Sequence, residues 1–213
     1  MSLGKLKAPG QWGKQGADIV CGDVQPFAIP LSYGGPYCGF LCCNKELLRQ
    51  IPGRIVGKTV DDKGNPAYTL TLQAREQHIR REKARSNICT NQGLLMTAAV
   101  IALRYWGGAG LAKIVNKAHT NATWLQQRLL ELPGVTNVFT GATLYEFVIR
   151  MDCDAYTINK KMLDYKIASG YPLCTHYPEL GNTLLVCVTE TKTKQDLNDF
   201  IQAMRSCLQR EAV

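Results

Sequence analysis

Apolar and polar positions alternate along this 213-residue chain in two manners, and the change between them falls near the middle. Ala17-Asp-Ile-Val-Cys21 is a short apolar, β-branched run that predicts a strand, and a loop rich in proline and glycine follows it from Gln25 to Pro36. Gly39-Phe-Leu-Cys-Cys43 predicts the next strand. Asn44 is placed to cap a short helix through Gln50, which Pro52-Gly53 breaks. Two more strands, Arg54 to Val60 and Tyr68 to Leu72, flank the turn Asp61-Asp-Lys-Gly64. Gln73 to Lys83 reads as a polar helix. Asn91 to Trp106 reads as a helix apolar on nearly every side, which implies burial. Gly107-Gly-Ala-Gly110 ends it, and a long amphipathic helix from Leu111 to Leu132 stops at Pro133-Gly134.

Beyond that point strands and helices come in a different order. Val135 to Phe139 and Tyr145 to Met151 predict strands, Tyr156 to Ala168 a helix, and Tyr171 to Thr175 and Thr183 to Val188 strands again. Thr193 caps a last helix to Leu208, and Asp196 at its third position complements the helix dipole. Such an order packs as a small α+β lobe. The pattern divides the chain into a tail over 1–15, a part of an α/β domain over 16–110, and a connecting helix with a small α+β domain over 111–213. The middle part holds few strands for an α/β domain and reads like the final third of a larger sheet.

Composition narrows the classes. With 46% hydrophobic and 20% charged residues the chain lies in the globular range, and at this length it buries enough surface to fold without staples. No run of about 18 apolar residues is present, so no membrane span is expected. The start lacks the apolar core of a secretory signal, which makes the cytoplasm the expected compartment. Nine cysteines, an odd count with no Cys-x-x-Cys, point to reduced thiols rather than disulfides or a metal site. Cys21, Cys38, Cys43, Cys89 and Cys187 lie in apolar company and are expected to be buried. The net charge of +8 is not gathered in a run of like charge, so nucleic acid is not expected as a partner.

Several motifs fail as chemistry. Gly53-Arg-Ile-Val-Gly57-Lys58-Thr59 has three residues between its glycines where a phosphate-wrapping loop needs four. His78, His119 and His176 have no metal-ligand spacing, and the latter two read as packing or surface residues. Gly34-Gly35-Pro36 is first of all a turn between strands. The stretch from Arg75 to Gln92 is the most unusual. A solvated helical face accounts for Arg75, Glu76, Arg80 and Glu82, with Glu76 and Arg80 four residues apart. Ser86-Asn-Ile-Cys-Thr90 is a polar corner leading into an apolar helix, suited either to capping that helix or to lining a cleft.

Two long segments carry a resemblance. Gly16-Ala-Asp-Ile-Val-Cys-Gly-Asp-Val-Gln-Pro-Phe through Ser32-Tyr-Gly-Gly-Pro-Tyr-Cys-Gly39 resembles the alpha subunit of the glycine cleavage system P-protein. So does Gly53-Arg-Ile-Val-Gly-Lys-Thr-Val-Asp61 continued by Arg75-Glu-Gln-His-Ile-Arg-Arg-Glu-Lys-Ala and Ser86-Asn-Ile-Cys-Thr-Asn-Gln92. The resemblance covers most of Gly16 to Leu132 and, more loosely, the C-terminal lobe.

The resemblance implies an α/β, fold-type-I pyridoxal phosphate (PLP)-dependent transferase, aminotransferase-like, with a partial large domain and a C-terminal α+β lobe. It implies glycine dehydrogenase (decarboxylating) chemistry: glycine loses its carboxylate on PLP, and the aminomethyl group passes to the lipoyl arm of the H-protein. The PLP lysine belongs to the beta subunit. Here the corresponding loop reads Gln25-Pro26-Phe27, and no lysine lies between Lys14 and Lys45, so no PLP is expected on this chain alone. The family segment Lys-Ala-Thr-Ser-Asn carries Arg85 in place of its threonine, and the N-terminal half of the family pattern is absent, so the isolated chain is expected to be inactive. For completing the beta subunit's cleft, the candidates are the turn Ser32, Tyr33, Gly34 and Gly35. With it stand the polar residues His78, Arg80, Arg81, Lys83, Ser86, Asn87 and Gln92, whose cations and amides suit carboxylate or phosphate oxygens. Two other readings stay open: an independent PLP enzyme such as an aminotransferase using another lysine, for instance Lys58, and an interaction module without chemistry.

Overall fold

The computed structural model describes residues 2–84 and 92–209. It separates into two compact units, one over Lys7–Tyr105 and one over the described residues of 1–6 and 106–213.

In the second unit the alternation of apolar and polar residues produces a layered core. Strands β5 (Val135–Asn137), β6 (Glu146–Met151), β7 (Tyr171–Pro172) and β8 (Thr183–Cys187) form an antiparallel sheet in the order β5-β6-β8-β7. β6 and β8 run opposite one another from Glu146↔Cys187 to Arg150↔Thr183. Phe147, Ile149, Leu184 and Val186 from these strands pack with Ile158 and Met162 of helix α3 (Ala155–Asp164) and with Leu197 and Met204 of α4 (Lys194–Gln209). Leu125 and Leu129 of a third helix close the same cluster. Both short helices are capped: Asp154 accepts from the Thr157 backbone N–H at 2.8 Å. Thr193 and Asp196 bond reciprocally, the Thr193 N–H donating to Asp196 at 2.7 Å and the Asp196 N–H to the Thr193 hydroxyl at 3.2 Å. His119 lies against the Leu144 carbonyl, Nδ1 to O 2.8 Å, and His176 stacks on Tyr171. Lys5, at the chain start, donates to Asn116 at 2.9 Å.

The first unit is built from two separate hairpins. β1 (Ile19–Asp23) pairs antiparallel with β2 (Gly39–Cys43), and β3 (Ile55–Val60) with β4 (Pro66–Thr71). Among the described residues the two hairpins are not joined into one sheet. Val24, Ile29 and Ala99 make a small core, with Phe27, Cys38, Phe40 and Leu95 packed on it.

Four expectations are corrected here. The polar helix over 73–83 is in fact three pieces: a 3-10 turn Gln73–Arg75, helix α1 (Gln77–Arg80), and a second 3-10 turn Arg81–Lys83. Glu76 is extended (φ −79°, ψ 157°) and Arg81 has a positive φ of 51°, and these two residues break the helical path between the pieces. The expected helix over 44–50 is likewise only a 3-10 turn, Lys45–Leu47, capped by Asn44. The expected burial of the apolar helix also fails. Helix α2 runs over Gly93–Leu130 with non-helical Gly107 (φ 59°) inside it, and before that glycine Leu94 is 82%, Ile101 64% and Tyr105 86% exposed. By length and composition α2 is apolar enough to cross a membrane, with mean hydropathy 1.4 over an 18-residue window, because such a window tolerates isolated charges. Gly107 interrupts it, however, and Val115, Ala118, Ala122, Leu125 and Leu129 beyond are buried. Finally, the thiols are not mostly buried. Among the described cysteines only Cys207 is, while Cys21, Cys42 and Cys187 are exposed. Cys89 lies outside the described residues.

Candidate functional site

The loop after β1 is held by local bonds rather than by a cofactor-ready cradle. The Gln25 N–H donates to Asp23 and the Gln25 side-chain amide to the Ile29 carbonyl at 2.9 Å, while Phe27 packs on the small core and Pro26 stays exposed. The turn that follows is strained: Ser32, Tyr33 and Gly34 all have φ between 45° and 86°. The Gly34 N–H donates to the Leu31 carbonyl at 3.0 Å and the Gly35 N–H to the Ser32 carbonyl at 2.9 Å, so the turn closes on itself. At Gly35 a side chain would meet the Ser32 Cβ at 2.7 Å, a steric reason for the glycine. Ser32 and Tyr33 project into solvent. The residues present do not fit covalently bound PLP at this loop, since Pro26 and its neighbours offer no amine.

His78, Arg80, Arg81 and Lys83 are all exposed on the broken segment after β4, and Gln92 is half-buried at the entry to α2, where its carbonyl accepts from Met96. Ser86 and Asn87 lie outside the described residues. Of the candidates, Arg80 alone lines a cavity of about 80 Å³ in the first unit, with Arg49, Gly53, Arg75 and Glu76 among its walls.

Arg75, read from sequence as part of a solvated face, is the buried cation of this pocket. Its side chain is only 13% exposed, and one terminal nitrogen, Nη2, donates to the Gly53 carbonyl at 2.7 Å. Its Nε and Nη1 are buried with no hydrogen-bond partner. Glu76 stands 3.9 Å from Nη1, within ion-pair reach and beyond hydrogen-bond reach. A buried donor left unsatisfied costs about 1–3 kcal/mol, and more when charged, so the arrangement is incomplete as it stands. Glu76 has extended backbone, φ −79° and ψ 157°, and stands as the N-cap of α1, its carbonyl accepting from the Arg80 N–H at 2.9 Å. Arg75 meets Gly53 across 22 residues of chain, a contact no local signal in the sequence announces.

The second unit has a groove of about 570 Å³ along β8, α4 and the segment 165–171. Cys187 lines it, but burial, ahead of repulsion from Glu146, pushes its thiol above the ordinary value and away from a nucleophilic role at neutral pH. Lys58 is exposed on β3, opposite Tyr68. Among the described residues no cluster of His, Cys, Asp or Glu has metal-site geometry.

Comparison with known proteins gives this geometry its context. The profile of the glycine cleavage system P-protein family matches residues 1–204. A Coxiella burnetii protein named "Probable glycine dehydrogenase (decarboxylating) subunit 1" is 52% identical over 205 residues, which cover 96% of this chain and 46% of that protein. A crystal structure of glycine decarboxylase (P-protein) of the glycine cleavage system, in inhibitor-bound form, superposes with a TM-score of 0.87 at 36% identity, over 97% of this chain and 46% of that one. A Burkholderia pseudomallei sphingosine-1-phosphate lyase shares the fold alone, with a TM-score of 0.58 at 18% identity over 91% of this chain and 38% of its own. The fold is therefore the expected one, α/β of fold-type I and partial. The chain spans about half the length of the curated relatives it matches.

Proposed function

The chain belongs to the glycine cleavage system P-protein family, and from that membership we propose that it acts as glycine dehydrogenase (decarboxylating) subunit 1, completing a partner subunit's cleft without binding PLP covalently itself. The observation that carries the second half of this reading is the loop after β1, which holds no lysine between Lys14 and Lys45, and where the family resemblance sets Pro26 or a neighbour at the position of the PLP amine. The partner is then the P-protein beta subunit, which holds PLP, and the complex decarboxylates glycine and hands the aminomethyl group to the lipoyl H-protein in the cytoplasm. PLP, when bound, supplies the electron sink for loss of the carboxylate.

This chain's residues do the rest by contact. The exposed apolar side of α2, with Leu94, Ile101 and Tyr105, is surface to be covered by the remainder of the assembly. The exposed cations His78, Arg81 and Lys83 (His78 when protonated) offer charge-assisted donors to a partner. The rival reading, an independent PLP enzyme using Lys58, would set its amine on an exposed hairpin with no enclosing walls.

The test is borohydride trapping after PLP is added to the purified chain, with peptide mapping of labelled lysines. Absence of a specific label, together with co-purification of a P-protein beta subunit co-expressed with it, is the expected result. Stoichiometric label on one lysine overturns the reading in favour of an independent enzyme.

A further inference from the structure

Arg49, Arg75 and Arg80 share one small pocket with a single carboxylate, Glu76. The balance is two positive charges in a cavity of about 80 Å³, walled also by Pro52 and Gly53. We propose that this pocket binds a phosphate dianion, either free or as the end of a phosphate monoester whose remainder stays outside. The inference does not rest on the subunit reading given above.

Three observations lead to it. The charge is only weakly compensated: the Arg75 side chain is 13% exposed, yet its one counter-ion among the described residues, Glu76, stands 3.9 Å away and makes no hydrogen bond to it. The guanidinium is held in place, because its Nη2 is fixed on the Gly53 carbonyl at 2.7 Å while Nε and Nη1 find no acceptor. A preoriented guanidinium with free donors is the group that recognises tetrahedral oxyanions. The size also selects. A phosphate group fits a cavity of about 80 Å³, whereas a nucleotide or a coenzyme ring does not. A phosphate carries a charge of about −1.5 to −2 at neutral pH, which matches the surplus of two better than a carboxylate's single charge.

The chemistry of entry follows from the same geometry. Nε and Nη1 are sealed from water as the side chains stand, so on this proposal a wall of the pocket moves to admit the anion, and that wall is Glu76, 3.9 Å from Nη1. The Glu76 side chain is partly exposed and its only polar contact among the described residues is the long one to Arg75, so its rotation sacrifices little. Arg49 and Arg80 are exposed at the mouth and draw the anion in. Replacing Glu76 by a neutral residue therefore improves binding, while replacing either mouth arginine weakens it.

The experiment is isothermal titration of the full chain with inorganic phosphate, and separately with glycerol phosphate and acetate, all at one ionic strength set with sodium chloride. Phosphate is expected to bind saturably with a dissociation constant on the order of a millimolar, within reach of a ligand of so few atoms. Arg80→Gln and Arg49→Gln, both at exposed positions and each checked by circular dichroism for an unchanged fold, are expected to weaken it roughly tenfold, as loss of a charge-assisted bond implies. Glu76→Gln is expected to tighten it. Binding of inorganic phosphate alone supports a free-ion site, and equal binding of glycerol phosphate supports a monoester site. Heat no larger than that of acetate, or binding unchanged in Arg80→Gln and Arg49→Gln, overturns the proposal.

Discussion

The two units of this chain treat their apolar residues in opposite ways. In the second unit, twenty buried side chains from three helices and the sheet meet in one cluster, and residues such as Ile149, Leu184 and Met204 are wholly enclosed. Among the described residues of the first unit only Val24, Ile29 and Ala99 form a buried cluster, while Leu94, Val100, Ile101 and Tyr105 of α2 face solvent. An apolar pattern reports what a segment needs to bury, not whether its cover lies within the same stretch of chain. On the subunit reading proposed above, the second unit is self-sufficient and the first is finished by contact.

The sharpest way to break that contrast is a matched pair of truncations. Leu184→Ala removes a fully enclosed side chain from β8 and is expected to lower the unfolding free energy by about 2–5 kcal/mol in urea titrations. Ile101→Ser, on the exposed side of α2, is expected to change it by no more than about 0.5 kcal/mol and to reduce self-association in light scattering. Comparable losses from both would mean that α2 is buried within this chain, and the contrast would fall.

The contrast also explains what could be read from sequence. β2 was legible to the residue because Gly39 and Asn44 bracket its apolar run, and the capping box at Thr193 and Asp196 was legible because its geometry is local. The breaks in the 73–83 segment were not, since Glu76 turns extended and Arg81 takes a positive φ without a glycine or proline to announce either, among residues that favour helix. Arg75 was misread for a related reason. Its burial comes from Gly53, a long-range contact, whereas its sequence neighbours are the charged residues of a solvated face. The cysteines repeat the lesson: Cys21 and Cys42 sit among apolar neighbours in sequence, but on a two-stranded hairpin whose faces stay exposed. Of the candidate site, the sequence picked out Arg80 and the tight turn, and missed Arg49, Arg75 and Glu76.

Helix caps give a smaller, graded version of the same comparison. Asp154 accepts from both the N–H and the hydroxyl of Thr157 at 2.8 Å and starts a helix packed into the second unit's core. Asp154→Ala is expected to cost about 1 kcal/mol in the same urea titrations. Asn44 caps only the 3-10 turn Lys45–Leu47, accepting from the Leu47 N–H at 3.2 Å. Asn44→Ala is expected to cost less, about 0.5 kcal/mol. A reversal of that order would show the hairpin unit to be the more tightly coupled of the two.

The smallest effect is in the response to acid. Asp196 is held below its ordinary value of 3.8, first by the backbone N–H of Thr193 and then by its hydroxyl, and Asp154 is held below it by Thr157. In the first unit Asp61 is held low in the same sense by bonds from Asn65 and Lys63 within a surface turn. A carboxyl whose folded pKa lies below its unfolded one contributes stability that is fully present above the unfolded value and is lost as pH falls through the folded one. The chain is therefore expected to keep its stability down to about pH 4 and to lose it progressively below, as these groups take up protons. Asp196→Asn keeps an acceptor at the cap but removes the titration, so its unfolding free energy, followed by urea denaturation across the acid range, is expected to fall less steeply than that of the parent. Asp61→Asn, in a turn that no core depends on, is expected to change the slope of the second unit's unfolding very little. Parallel curves for Asp196→Asn and the parent would mean that the Thr193 bonds do not favour the ionised form. The cap would then stabilise α4 by shape alone.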